Sequence, residues 1–200
     1  MTLLNFAKTR RGKTTTQKEI AKVHDELHMV GIKLLPPHII DSKMDFSIEG
    51  SNIRFGLSMI KGISDATIKK LDAFRHAYST KFEIFEGAKC AGLPINVFCA
   101  LIQSGCLDSM GDASNRPRLV WEAQLWIVLS DREKAIAIAK GGEFQYDLAK
   151  TLSWMIHNPA ADGKPCIKPS RFETIKKKGE PFREIWKMNR KNLQLANFFY

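Results

Sequence analysis

The stretch from Phe55 to Arg75 constrains the fold of this chain most, because two helical patterns meet in it at a single glycine. A short apolar run that ends at Ile60 predicts a short first helix. Gly62 follows, and Ser64 and Asp65, both suited to the N-cap, then begin a second pattern with one apolar face. Serine is favoured at a helix N-terminus because its hydroxyl accepts hydrogen bonds from amides that have no partner in the helix. The stretch therefore predicts two helices joined by a very tight turn.

A turn of this kind presents backbone amides that carry partial positive charge, and an anion can bind to them. Gly62 has no side chain to keep a phosphate away from the main chain. The candidate phosphate-binding residues are the turn, the start of the second helix and the nearby lysines: Lys61, Gly62, Ile63, Ser64, Lys69 and Lys70. A helical corner that only packs against the rest of the protein is the alternative, and the motif alone leaves both interpretations open.

Composition narrows the class of partner. The chain has 200 residues, 44% of them hydrophobic, so it has enough apolar side chains for a real core. A net charge of +10 favours a polyanion such as nucleic acid over an acidic membrane surface. No apolar run approaches the roughly 20 residues that span a bilayer, so we expect no membrane segment and a cytoplasmic protein.

The cysteines and histidines, which often bind metals or take part in catalysis, predict no active site in this chain. The 4 cysteines form no CxxC pair and have no histidine at metal-ligand spacing, which indicates reduced thiols rather than a metal centre. The 5 histidines form no Ser/His/Asp arrangement beyond chance. We therefore expect no catalytic residue, no metal and no cofactor in this chain.

Periodicity and turn residues predict the remaining elements in order. The predicted helices are Gln17 to Val30, Phe82 to Lys89, Pro94 to Gly105, Ser114 to Lys140 (with Leu119, Ala123, Trp126, Ile127, Ala135 and Ile138 as its apolar stripe) and Phe144 to Ile156. A β-hairpin is predicted around Gly50 and Ser51, after an extended connector that contains Pro36 and Pro37. Residues 158 to 169 form a predicted loop, and from Lys164 to Lys191 there are 10 Lys or Arg against 3 acids.

Several blocks of this sequence occur in the same order in a known family. They are Gly31 to Ile39, Asp45 to Gly50, Ile53 to Leu57, Ile60 to Ile63, Phe82 to Phe85, Leu101 to Gly105, Leu107 to Ser109, and Asn115 with Arg116. They closely resemble the alpha subunit of bacterial DNA polymerase III, a C-family replicative polymerase. The resemblance covers roughly Gln17 to Leu119, and several ordered blocks are more specific than one motif.

The resemblance implies a fold and a role. In that family the matching segment closes the fingers and enters a tandem helix-hairpin-helix, while the catalytic aspartates lie in the palm, upstream of anything matched here. It implies a mainly α fold, a helical bundle with a tandem helix-hairpin-helix and one small β-hairpin. The implied function is the non-catalytic DNA-binding portion of a polymerase, gripping double-stranded or primer-template DNA by its backbone phosphates. The family has glycine at both ends of the hairpin, whereas Ser64 stands at the second here.

The chain divides by these patterns into three parts: residues 1–16 as a basic arm, 17–112 as the fingers end with the tandem helix-hairpin-helix, and 113–200 as a helical C-terminal region. An alternative function is an interaction module that docks on a palm-bearing polymerase chain or on a sliding clamp. Near the C-terminus, Gln194, Leu195 and Phe198 resemble the peptide by which replication proteins bind the clamp. The same residues also fit the buried stripe of a last helix.

Overall fold

The computed structural model describes residues 22–23, 25–60, 62–110 and 115–191, with side chains as far as residue 180. After a helical segment at residues 25–29, the strands are β1 (Leu34–Leu35), β2 (Ser47–Glu49) and β3 (Asn52–Arg54). The helices are α1 (Asp65–Phe74), α2 (Lys81–Cys90), α3 (Ile95–Gln103), α4 (Arg116–Trp126), α5 (Asp131–Gly141), α6 (Leu148–His157) and α7 (Pro169–Lys191), with 3₁₀ turns at Leu57–Met59 and Gly142–Phe144. The mainly α fold is confirmed. None of the described helices has the length and apolar character needed to cross a bilayer.

The predicted β-hairpin is present, and it belongs to a three-stranded sheet in the order β1-β3-β2. Strands β2 and β3 pair antiparallel across the turn at Gly50, whose φ is +61°. Strand β1 pairs parallel with β3 and was not predicted, because it consists of only two residues directly before Pro36. An edge strand tolerates the proline that follows it, since proline lacks only a donor.

The second helical hairpin, α2 and α3, follows the predicted pattern. Gly92 adopts a φ of +66°, and the amide of Leu93 donates to the carbonyl of Ala88 at 2.9 Å, which ends α2. Pro94 then occupies the N-cap of α3, where its missing amide costs no helical hydrogen bond. The helix ends before Gly105, as its position in the sequence predicts.

The predicted long helix from Ser114 to Lys140 is wrong, since the structure has α4 and α5 with a break between them. Ser130 begins α5 with a capping box: its amide donates to Glu133 Oε2 at 2.7 Å, and its hydroxyl accepts from the amide of Glu133 at 3.4 Å. This signal is visible in the sequence as Ser-x-x-Glu, but the continuous helical pattern around it obscured it.

The break also changes which residues are buried. Ile127 and Ile138, predicted for the apolar stripe, are 54% and 46% exposed, and Ala135 is exposed as well. Trp126 lies before the break and is buried as predicted. A stripe that is continuous along one straight helix is divided when a second helix begins at a new angle, so only its first half reaches the core.

One hydrophobic core joins buried residues from Ile39 to Ile175. Its centre is aromatic, with the rings of Phe82 and Trp126 4.8 Å apart between α2 and α4. Residues on both sides of the proposed division at position 112 contribute to this core. The division into three parts stays a prediction.

Tyr78 fixes the position of α1 against α2. Its hydroxyl donates to the carbonyl of Phe74 at 2.9 Å, at the end of α1. Its ring lies directly over Gly87 of α2, where a Cβ atom would overlap the Tyr78 ring and hydroxyl. Burial raises the pKa of the Tyr78 phenol well above its usual value. The absence of a side chain at Gly87 therefore sets how closely the two helices approach.

A buried ionic network links α2, α4 and the start of α6. Lys81 Nζ lies 2.8 Å from Glu122 Oε2, with the two side chains only 3% and 0% exposed. Arg118 Nε donates to the other Glu122 oxygen at 3.0 Å, and Arg118 Nη2 lies 2.6 Å from Asp147 Oδ2. The N-cap of α6 is Asp147, whose Oδ1 accepts from the amide of Lys150. Three elements distant in sequence thus share one network of charges.

The network perturbs both carboxylates, in opposite directions. Burial raises the pKa of Glu122, and the neighbouring Lys81 and Arg118 oppose that rise. Burial also disfavours the charge on Asp147, but its hydrogen bonds to Arg118 and to the amide of Lys150 hold its pKa below the usual value. In both cases the neighbouring cations favour the charged carboxylate, and burial opposes it.

We expect Lys81→Met to lower the free energy of unfolding by roughly 3 kcal/mol, because it leaves Glu122 buried with one cation fewer. The control is Lys89→Met, whose ion pair with Asp131 is 47% and 87% exposed, so its loss should change the free energy of unfolding far less. Urea unfolding of both variants measures the difference. Equal losses in the two variants would show that the buried pair does not stabilise the fold, and Lys81→Met/Glu122→Gln should recover most of the loss.

Candidate nucleic-acid interface

The first limb of the predicted hairpin is a single 3₁₀ turn, Leu57–Met59, rather than a short α-helix. The amides of Leu57 and Ser58 donate to the carbonyls of Lys43 and Met44 at 3.0 and 2.9 Å. These bonds tie the limb to the preceding loop. A Cβ at Gly56 would lie 2.5 Å from the carbonyl carbon of Asp45, so only glycine fits there. The expectation of a helix is therefore corrected, and the limb is held by backbone contacts instead.

The turn itself has the geometry that its glycine predicts. Gly62 is exposed and has a φ of +94°, which L-residues with a side chain rarely adopt. A Cβ there would meet no heavy atom within 4 Å, so the space beside the turn is open. The amide of Ile63 donates to the carbonyl of Ile60 at 3.2 Å, which closes the turn. Lys61 lies outside the described residues.

Ser64 occupies the N-cap of α1, as predicted, but its own amide is engaged. That amide donates to Thr67 Oγ1 at 2.9 Å, and the Thr67 hydroxyl donates to the carbonyl of Ser64 at 2.7 Å. The amide of Thr67 donates to the same carbonyl at 2.8 Å. The amides of Asp65 and Ala66 remain, because the first amides of a helix have no carbonyl partner within that helix. An anion at this helix start would be bound by them rather than by Ser64.

Lys69 and Lys70 are exposed on α1, whereas Leu71 and Phe74 on its other side are fully buried. The buried pair fixes which face of the helix is turned outward. The structure therefore places both lysines on the solvent side of the helix that Gly62 precedes. Of the candidate residues at this corner, from the turn into α1, Gly62, Ser64, Lys69 and Lys70 are exposed and Ile63 is half-buried.

Arg75, which directly follows α1, supports this corner and was not predicted. Its guanidinium donates to the carbonyls of Ile39, Ile40 and Ser42 at 2.9, 2.7 and 2.6 Å. These carbonyls lie 33 to 36 residues earlier in the chain, so no local sequence pattern could have indicated the contact. Arg75 holds the end of α1 against the connector that leads into the sheet.

The expectation of no Ser/His/Asp arrangement needs correction. His38 Nε2 lies 2.6 Å from Ser109 Oγ, and His38 Nδ1 lies 2.9 Å from Asp41 Oδ2. Next to this chain of contacts, the amide of Ile39 donates to the carbonyl of Cys106 at 3.0 Å. Together these bonds attach the connector to the turn that follows α3. His38 and Ser109 are 71 residues apart, and only the fold brings them together.

The described residues contain no group of His, Cys, Asp and Glu that could hold a metal ion. Three of the cysteines, Cys99, Cys106 and Cys166, are buried, and Cys90 is exposed. Burial raises the pKa of the Cys106 thiol to about 12, which keeps it protonated at neutral pH. Two of the buried thiols also accept hydrogen bonds, Cys106 from the hydroxyl of Ser104 and Cys99 from the side chain of Gln124.

Comparison with known proteins shows what the region around this corner is similar to. A family model of the helix-hairpin-helix motif matches residues 31–119, which include the sheet, both hairpins and the start of α4. Residues 31–119 are therefore a helix-hairpin-helix region. No solved structure matches the chain.

The same region is homologous to part of the alpha subunit of bacterial DNA polymerase III. The DNA polymerase III alpha subunit of Saccharopolyspora erythraea is 33% identical over 89 residues, which are 43% of this chain and 8% of that protein. That of Aquifex aeolicus is 36% identical over 107 residues, 48% of this chain and 9% of that protein. That of Haemophilus influenzae is 31% identical over 99 residues, 46% and 8% of the two chains. The chain thus spans less than a tenth of the length of these relatives.

Thr67 provides a test of the helix start. We expect Thr67→Val to lower the free energy of unfolding by about 1–3 kcal/mol, because valine keeps the buried volume but leaves the Ser64 amide without its acceptor. Thr67→Ser is the matched control, since it keeps the hydroxyl. Thermal or urea unfolding measures both. A Thr67→Val variant as stable as the wild-type protein would show that the hydroxyl contributes nothing, and Thr67→Ser measures the separate loss of the buried methyl group.

Proposed function

We propose that residues 31–119 bind duplex DNA through its backbone phosphates, as the non-catalytic DNA-binding portion of a C-family replicative polymerase. The observation that carries this proposal is the exposed turn at Gly62, directly before the N-terminus of α1, within a region homologous to DNA polymerase III alpha subunits. A phosphate at this turn can approach the main chain because glycine leaves the space open.

The surrounding groups suit a phosphate in charge and type. The amides of Asp65 and Ala66 lie at the positive end of the α1 dipole, which favours an anion. Lys69 and Lys70 are exposed on the same helix and supply mobile positive charge. Lys61 and Gly62 complete the proposed contact set, whereas the amides of Ile63 and Ser64 already donate to Ile60 and Thr67. Contacts of this kind position a protein on DNA but read no sequence.

The test is the salt dependence of binding to a primer-template duplex. Each phosphate contact that is lost should reduce the slope of log K against log salt concentration by about 0.9. We expect Lys69→Glu/Lys70→Glu to weaken binding to all sequences alike and to reduce this slope. Lys150→Glu/Lys176→Glu is the control, with the same charge change at exposed positions on α6 and α7. Wild-type protein that binds no duplex at low salt, or a control that loses as much as the hairpin variant, would refute the proposal.

A polymerase partner belongs to the same proposal. The relatives are DNA polymerase III alpha subunits, and the chain matches only 8% to 9% of their length. Adding this protein to a palm-bearing chain should raise primer extension or processivity. Equal extension without it would contradict the partnership. The clamp-binding peptide Gln194, Leu195 and Phe198 lies outside the described residues and stays a prediction.

A further inference from the structure

A chain of Ser, His and Asp contacts lies where the connector meets the turn after α3, apart from the Gly62 turn. His38 Nε2 lies 2.6 Å from Ser109 Oγ, and His38 Nδ1 lies 2.9 Å from Asp41 Oδ2. The imidazole therefore stands between a hydroxyl and a carboxylate, with one of them at each ring nitrogen. In this order of contacts an imidazole can take a proton from a serine while the carboxylate orients the ring.

The tautomer of His38 decides whether the arrangement can activate the serine. For Nε2 to accept a proton from Ser109, Nδ1 must carry a hydrogen and donate it to Asp41. The amide of Asp41 competes for Nδ1, since it also points at this nitrogen, from 3.2 Å. The carboxylate contact is shorter and carries a full charge, and charged acceptors form the stronger hydrogen bonds. The form with hydrogen on Nδ1 is therefore favoured, which leaves Nε2 as the base.

Backbone contacts hold the histidine segment in place beside the serine segment. Ile39, directly after His38, is fully buried, and its amide donates to the carbonyl of Cys106 at 3.0 Å. The amide of His38 donates to the Ser42 hydroxyl at 2.9 Å, and the amide of Ser42 donates to the carbonyl of His38 at 2.9 Å. A reactive group works best when its surroundings fix its position in advance. His38 is fixed in this way before any substrate arrives.

The serine is open to a substrate and has a main-chain donor of its own. Ser109 is exposed, whereas the His38 side chain is only 22% exposed. The neighbouring amides of Asp108 and Met110 donate to carbonyls within the turn, but for the Ser109 amide the described residues provide no acceptor. A backbone N–H on the nucleophile's own residue can stabilise the oxyanion that forms when an acyl carbonyl is attacked.

We propose that Ser109 is a nucleophile toward small activated acyl esters, with His38 as its general base and Asp41 as the residue that orients His38. The Ser109 oxygen bonds to the acyl carbon, its proton passes to His38 Nε2, and the ester C–O bond breaks. His38 returns the proton to the departing alkoxide or phenoxide. Water then attacks the acyl-serine in the same manner, which releases the carboxylic acid and restores Ser109. One ester and one water thus give one alcohol and one acid.

The exposure of the site determines the class of substrate. The Asp41 side chain is 54% exposed, so water screens its charge and weakens its effect on the imidazole. We therefore expect reaction only with esters whose leaving group is already good, such as 4-nitrophenyl acetate. This activity is separate from the proposed DNA binding and does not depend on it.

The experiment uses a fluorophosphonate dye, which labels a serine that a neighbouring base has activated. We expect the dye to label the wild-type protein at Ser109, located by tandem mass spectrometry. Ser109→Ala should abolish this labelling. His38→Gln should slow it by about 100-fold, the lower end of what a positioned base contributes. Unfolding the wild-type protein in urea should also abolish it, because His38 and Ser109 are 71 residues apart and only the fold brings them together.

The matched control is Ser153→Ala. Ser153 is also exposed and also has a histidine beside it, but His157 Nδ1 contacts the Ser153 carbonyl at 2.7 Å rather than its hydroxyl. Ser153→Ala should therefore keep the wild-type labelling rate. With 4-nitrophenyl acetate, the wild-type protein and this control should release nitrophenolate in a rapid burst before slower turnover, and Ser109→Ala should show no burst. Circular dichroism of each variant checks that the helices are intact.

Each outcome decides the proposal. A wild-type protein that is not labelled at Ser109 overturns it, and so does equal labelling of the folded and the urea-unfolded protein. A folded His38→Gln variant that is labelled at the wild-type rate overturns the role of His38 as the base. If His38→Gln does not fold, Ser109→Ala and the urea-unfolded wild type still give the decision. Labelling at Ser109 that requires the fold, together with a nitrophenolate burst that Ser109→Ala lacks, supports the proposal.

Discussion

The buried carboxylate of Glu122 is the contact on which the arrangement of the helices depends. Moving an ion out of water costs several kcal/mol, and the cost is offset only when its partners are close and well oriented. Lys81 on α2 and Arg118 on α4 meet that requirement from two directions. The same helix carries Trp121, whose Nε1 donates to the carbonyl of Gly179 in α7 at 2.8 Å. A shift of α4 would therefore separate buried charges and undo the docking of α7 at once.

The sequence predicted elements whose signals are local. The β-hairpin at Gly50, the hairpin between α2 and α3, and the N-cap at Ser64 each follow from a turn or capping residue in its own segment. The division of α4 from α5 was missed, although Ser130 and Glu133 form a recognisable capping box. The apolar periodicity from Ser114 to Lys140 favoured one continuous helix. In the structure only its first half, α4, buries the predicted stripe.

Long-range contacts account for what the sequence could not show. Strand β1 exists because β3 offers it a parallel edge, and two residues carry no pattern of their own. Arg75 reaches carbonyls more than 30 residues away. At the candidate site, the residue types at the hairpin predicted the turn and the helix start. The engagement of the Ser64 amide by Thr67 became visible only in three dimensions, and it moves the expected anion contact one residue along α1.

The missing side chain at Gly87 has a consequence for how this surface can change. The Tyr78 ring lies over Gly87 of α2, and its hydroxyl donates to the carbonyl of Phe74 at the end of α1. Tyr78 therefore positions the end of α1 that is farther from Gly62. The position of the exposed corner thus depends on Gly87, a residue of a different helix. A methyl group at Gly87 would overlap the Tyr78 ring and displace it, and with it the end of α1. The orientation of α1 can therefore change through a substitution that leaves every residue of the corner in place.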